Sequence, residues 1–200
     1  MAYRYLLLYK PYNVLSQFTD QAQRVTLKDF VSIPDVYAVG RLDRDSEGLL
    51  LLTNDGALKR RLELPSTGWL RKYRVRIKGS LSEAKLDQLR AGVTVDGVTY
   101  QGMQVTFDRQ QGANAWLTIG LREGKNRELR KALSAFEVQV NRLLRLSYGP
   151  FQLGQLKAGE VEEVRRRVLR EQLGVSDPRA EKIKRPPRPP RPPRPPRRRG

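Results

Sequence analysis

The sequence predicts an α+β fold, a mixed and largely antiparallel sheet with flanking helices. Segments with strand character are many and segments with helix character are few. They do not follow one another in the regular βαβ alternation of a doubly wound sheet, and no internal repeat is visible.

Each element has a local reason. Tyr5 to Tyr9 and Val14 to Phe18 read as strands on either side of the turn signal Lys10-Pro11-Tyr12-Asn13. Val36 to Val39 is a further strand, and the continuous apolar run from Leu49 to Thr53 suits a central one. Asn54-Asp55-Gly56 ends that run and caps a short helix through Leu62. Lys72 to Ile77 alternates, with Tyr73, Val75 and Ile77 on one face and Lys72, Arg74 and Arg76 on the other. That is a half-buried strand with one basic face. Ser82 is the N-cap of a helix that carries Leu86 and Leu89 on one side and stops at Gly92. Val93 to Tyr100 reads as a hairpin across Asp96-Gly97, and Val105 to Phe107 and Trp116 to Leu121 add strands. A helix from about Asn126 places Leu129, Leu133 and Phe136 at i, i+4 and i+7, and a strand follows at Leu143 to Tyr148.

The chain has 200 residues, enough to bury a substantial core, and a net charge of +18. So basic a chain suits a polyanion such as nucleic acid, and by sign alone an anionic membrane. Residues 179–200 hold eight Arg and two Lys against Glu181, a net of +9, which leaves +9 of the +18 for residues 1–178. From Pro178 the chain stops being foldable and Arg-Pro-Pro recurs over 185–200 with nothing apolar to bury, so 176–200 is expected to be an extended, disordered tail attached electrostatically to RNA. Residues 1–175 are left as the folded part.

The chain contains neither Cys nor His, which excludes disulfides, zinc fingers, Cys or His nucleophiles and Ser-His-Asp triads. Lack of Cys suits a reducing cytosol, and no apolar run at the start is long enough for a signal or a span. The expectation is a cytoplasmic protein without a membrane partner.

The stretch GRLDRDSEGLLLLTNDG (40–56) sets Asp43 between Arg41 and Arg44 at the mouth of a buried strand. Charges in such a turn keep it in water; they also serve to hold one carboxylate ionised and aimed. The stretch resembles the signature of the pseudouridine synthases: Arg-Leu-Asp, two variable residues, Thr or Ser, one variable residue, Gly-Leu-Leu. Ser46 takes the hydroxyl position. YKPYNVLSQF (9–18) resembles that family's first motif, with Asn13 where Gly is usual, a mild departure because Asn tolerates positive φ. KYRV (72–75) resembles the segment carrying the active-site tyrosine. LREGKNRELRKAL (121–133) resembles the third motif, altered to Lys125 and Glu128. Together these segments cover most of residues 1–165. The branch is that of enzymes like the small-ribosomal-subunit synthases. Many of those begin with an S4 module, whereas this sequence starts on the catalytic motifs, so it resembles the members that act on the large subunit and lack that module, with QFTD (17–20) adding weight.

The resemblance implies a catalytic domain over 1–175, two lobes around a basic cleft with no S4 domain. It implies a base-flipping enzyme that isomerises a specific uridine of ribosomal RNA, large-subunit RNA most of all, to pseudouridine. The C1′–N1 bond breaks, the uracil turns and C5 rejoins the sugar. No redox change or external water is involved, so neither cofactor nor metal is called for. A carboxylate must add to the uridine or act on its sugar, and Asp43 fits that role.

A nearby cation keeps such a carboxylate ionised, and the family supplies it at the position of Arg130. On a helical wheel Arg130 lies about 60° from Leu133, at the edge of the apolar face. The resemblance places the Tyr73 ring against the flipped base, with Leu129 on the base's other side. Arg41 and Arg127 are read as phosphate or strand-displacing contacts, and Lys10 with Pro11 as the floor of the site. The protein is expected to act as a monomer. Two rival readings stand beside this one. A ribosome-assembly RNA-binding protein would keep the fold without catalysis, and a metal-dependent nuclease would use Asp43, Asp45 and Asp55. Asp55 is read as a turn and cap residue, which weighs against the nuclease.

Overall fold

Strand β1 (Tyr5–Lys10) buries every second side chain, Leu6, Leu8 and Lys10, as period-two patterning requires. A computed structural model describes residues 3–174 of the chain, so the predicted tail over 176–200 lies outside the described residues. After β1 come β2 (Tyr37–Val39) and β3 (Glu47–Thr53), and β3 is buried along its whole length. Helix α1 (Gly56–Glu63) is capped by Asp55, whose carboxylate accepts from Leu58 N at 3.0 Å and from the Tyr5 hydroxyl at 2.8 Å. Asp55 is therefore the cap that its place in the sequence indicates.

In β4 (Arg71–Lys78), Tyr73, Val75 and Ile77 are buried and the basic residues alternate with them. Helix α2 (Glu83–Ala91) starts on Ser82 and stops at Gly92, which has φ +107°. β5 (Gly92–Val95) and β6 (Val98–Gln101) form the expected hairpin, with Asp96 and Gly97 both at positive φ. Then follow β7 (Gln104–Gln111), β8 (Asn114–Leu121), α3 (Glu128–Ser134), β9 (Val140–Tyr148), β10 (Phe151–Gln152) and β11 (Val161–Glu163). Helix α4 (Arg166–Leu173) belongs to a second compact unit that begins after Val164, and within it Arg167 pairs with Glu171 at 2.8 Å.

The main sheet runs β11-β1-β3-β9-β4-β8-β7, with β2 on β3 and β10 on β9. Among the described strands only β3 and β9 pair in parallel. One edge of β3 pairs with β1 from Gly48 to Thr53. The other edge is divided, with β9 on Glu47 and Gly48 and β2 on Leu51 to Thr53. The sheet therefore forks at the start of β3, and residues 40–46 connect β2 to β3 beside the fork.

The expected strand over Val14 to Phe18 is absent. Leu15 makes a single bridge with Thr26, while Ser16 is bound to Leu42 instead of to a neighbouring strand. Helix α3 starts at Glu128 instead of near Asn126, because Arg127 adopts a left-handed conformation (φ 51°), and Phe136 is buried just beyond the last turn. Elements β10, β11 and α4 add to those expected, and all three are short.

Candidate active site

Residues 40–46 are held from several sides. Gly40 N donates to the Glu63 carboxylate on α1 at 2.7 Å. The Ser16 hydroxyl both donates to Leu42 O (2.7 Å) and accepts from Leu42 N (3.0 Å). Asn13 N donates to Arg44 O at 2.8 Å, with Asn13 at φ 64°, and Ser46 N closes a turn on Asp43 O at 3.0 Å. Leu42 and Ser46 are buried while the Asp43 side chain keeps 33% of its surface exposed. The chain anchors the two residues flanking the turn and leaves a carboxylate at its tip, facing solvent on one side. Asn13 occupies the backbone conformation for which glycine is usual.

The floor is Lys10. Its side chain is fully buried and donates to Pro11 O (2.9 Å) and Val14 O (2.8 Å), which ties the turn 10–14 together. Burial pulls the ammonium down to about 8, opposed by the fields of Glu47, Asp45 and Asp43. Three carboxylates thus act on one buried cation.

Across the sheet, Lys10 pairs with Gly48, Gly48 with Arg145, and Arg145 with Tyr73, one transverse row over β1, β3, β9 and β4. Gly48 has φ +104°, and a Cβ there would sit 2.7 Å from Arg145 N. Only glycine allows this close approach of β3 to β9. Arg145 is 3% exposed and donates from Nε to Leu49 O at 2.7 Å. Tyr73 is 9% exposed, and Leu129 is buried on α3.

The cationic side comes from α3. Arg127 Nη1 and Nη2 donate to Asp45 Oδ1 and Oδ2 at 3.1 and 2.9 Å, a two-pronged pair. This bond holds Asp45 below the usual carboxylate range against the opposing effect of burial. The same Nη1 lies 3.4 Å from Asp43 Oδ2. Arg130 donates to Val140 O at 3.0 Å and Asp45 O at 2.8 Å, with Asp45 Oδ2 at 3.3 Å. The contact expected between Asp43 and Arg130 is not formed: the guanidinium beside Asp43 is that of Arg127, and Arg130 binds Asp45. The αL turn at Arg127 swings its side chain toward residues 43–45, and no periodicity argument foresees that.

The family model for RNA pseudouridylate synthase matches residues 4–135, which contain the anchored turn, Lys10, Tyr73, Arg127 and Arg130. The chain belongs to this family. It is 39% identical over 173 residues to a protein of Vibrio parahaemolyticus named ribosomal large subunit pseudouridine synthase E, covering 80% of this chain and 73% of that one. It is 37% identical over 171 residues to an uncharacterized RNA pseudouridine synthase of Rickettsia prowazekii, covering 85% and 72%. The fold matches a crystal structure of a pseudouridylate synthase with a TM-score of 0.75 at 23% identity, over 86% of this chain and 74% of the other.

Within this pseudouridylate synthase fold, the structure brings Asp43, Arg127, Arg130 and Lys10 around one turn and sets Tyr73 on the row that starts at Lys10. Arg41 is exposed beside them. Asp45, weighed only for the rival nuclease, and Arg145, not singled out in the sequence, stand beside these residues. Arg145 reads as one of several basic residues in a strand until the sheet register places it, and Asp45 is placed by its bonds to Arg127 and Arg130. Of the acids weighed as a metal site, Asp43 and Asp45 share the Arg127 guanidinium, and Asp55 stands beyond the other end of β3. Asp55 caps α1, Asp45 is bound by Arg127, and Glu47 is bound by Arg142 and by the Tyr9 hydroxyl. Among the described residues no group of three His, Cys, Asp or Glu side chains is placed to hold a metal ion.

Proposed function

We propose that the protein isomerises a uridine of large-subunit ribosomal RNA to pseudouridine, with Asp43 as the carboxylate that attacks. The observation that carries this reading is a half-buried Asp43 on a doubly anchored turn with the Arg127 guanidinium 3.4 Å away. The ribosomal large-subunit relatives support the choice of RNA. In the reaction the C1′–N1 bond breaks and a C1′–C5 bond forms. The C5 proton is lost and N1 regains one, so composition is unchanged.

Each neighbour has a task. Arg127 stabilises the Asp43 carboxylate before attack and takes up its charge again when it leaves. Arg130 fixes the turn by binding the Asp45 carbonyl and the end of β9 at once. Tyr73 offers its ring to the uracil and its hydroxyl to proton transfer, Leu129 supports the opposite side, and Arg41 meets phosphate. Lys10 shapes the floor. The enzyme acts in the cytoplasm as a monomer, through a basic cleft between two lobes of a catalytic domain spanning 1–175, and needs no cofactor. Among the described residues no helix is long and apolar enough to cross a membrane.

The test is a pair of incubations with unmodified ribosomal RNA transcripts, read by carbodiimide-dependent reverse-transcription stops. Wild type should produce a stop at a defined uridine. Asp43→Asn keeps the shape and removes the charge, so it should bind the same RNA and produce none. Turnover by that variant, with deamidation excluded by mass, would refute the role given to Asp43.

A further inference from the structure

The outward face of β4 is not used by the site. Lys72, Arg74, Arg76 and Lys78 alternate with the buried Tyr73, Val75 and Ile77. Outward side chains recur about every 6.6 Å along a strand, so four cations line roughly 20 Å of sheet. Lys72 and Lys78 are exposed, and the Arg74 side chain keeps 43% of its surface.

The two arginines are preorganised. Trp116 on β8 lies opposite Arg76 in the register, and the Arg74 and Arg76 guanidinium carbons stand 5.3 and 5.9 Å from its ring centroid. The indole is itself fixed by Nε1 donating to the Gln111 side chain at 2.9 Å. Stacking holds a guanidinium by its face and leaves its N–H edge for an anion. The Nε atoms of both arginines are buried without a hydrogen-bond partner among the described residues, so an anion would meet the outer Nη edge of each fork.

Few acids oppose these charges. Asp108 lies 3.9 Å from Arg74 Nε, and Glu47 is taken by Arg142. An anionic membrane would need apolar side chains to insert, and the large one here, Trp116, is 8% exposed beneath the arginines. Lysine heads and arginine forks without a base-reading groove suit a phosphate backbone.

We infer that this face is a second RNA-binding surface, a track for the phosphodiester backbone outside the nucleotide being isomerised. It rests on the proposed function for RNA being the substrate. The probe is poly(U), whose binding is followed by fluorescence anisotropy between 50 and 300 mM salt. Lys72→Gln/Lys78→Gln should bind several-fold more weakly at low salt. The slope of log affinity on log salt should fall by about 0.7 per lost contact. Adding Arg74→Gln and Arg76→Gln should roughly double that change. The double variant alters only exposed side chains, so it carries the test if the fourfold variant fails to fold.

A control of equal charge, Lys28→Gln/Lys85→Gln, should leave the slope within half a unit of wild type. Unchanged slopes in the β4 variants, or an equal fall in the control, would overturn the inference. So would variants that bind poly(U) normally but lose binding to phosphatidylserine vesicles. The readout is binding alone, so it stands even if wild type makes no pseudouridine.

Discussion

Arg127 divides one guanidinium between two carboxylates, bonding both oxygens of Asp45 and lying 3.4 Å from Asp43. A lysine there keeps the charge and loses the planar fork. Arg127→Lys should therefore lower the single-turnover rate at least tenfold with little change in thermal stability, since its side chain is 40% exposed. Arg130 differs. It is only 16% exposed on its side chain and donates to two backbone carbonyls on separate elements. Arg130→Lys cannot reach both, so it should lower the rate and also cost about 1–2 kcal/mol in urea denaturation. Equal melting curves for the two variants would contradict this division of labour.

Helix α3 opens on a buried acid. Glu128 is 5% exposed, and its carboxylate accepts from Lys125 N at 3.0 Å. Burial pushes it up to about 7 from a usual 4.5. Between those values the folded state holds a proton that the unfolded chain releases. Stability therefore falls as pH rises from about 4.5 to about 7, and the loss persists above that. Glu128→Gln removes the ionisation and keeps an oxygen for Lys125 N. It should be more stable than wild type at pH 8 by about 3 kcal/mol, and equal to it near pH 4. Denaturation at the two pH values checks this, and a constant difference would refute it. In the sheet, Gly48→Ala must break either the φ of +104° or the contact with Arg145. It should cost on the order of 3–4 kcal/mol and abolish activity with it, because the fork positions the Asp43 turn.

At the scale of the molecule the charge of +18 is divided equally between residues 1–178 and 179–200. Tail arginines near RNA act mainly by displacing condensed counterions. Removing residues 179–200 should weaken binding to ribosomal RNA fragments at low salt. At about 0.7 per phosphate on single strands and four to eight contacts, the salt slope should fall by several units. Maximal turnover at saturating RNA and the choice of uridine should stay as they are. A shifted modification site would place recognition in the tail.

Local chemistry makes much of this protein legible in its sequence. Period-two burial marks β1 and β4, Asp55 and Ser82 cap their helices, and Asp96-Gly97 turns the hairpin, because each depends on neighbours within a few residues. The motif around Asp43 likewise stands in one stretch of chain. The failures share a cause. Val14 to Phe18 has strand composition but is claimed by Ser16 bonding to Leu42, 26 positions away. Asp43 lies beside Arg127 instead of Arg130 because an αL residue starts α3, and Asp45 is joined to Arg127 across 82 positions. Lys10, Gly48, Arg145 and Tyr73 form one row only through the register of four strands. Residue types and their spacing determine which local elements form and which groups carry the chemistry. Which charge meets which is decided by long-range pairing, whose partners no local pattern encodes.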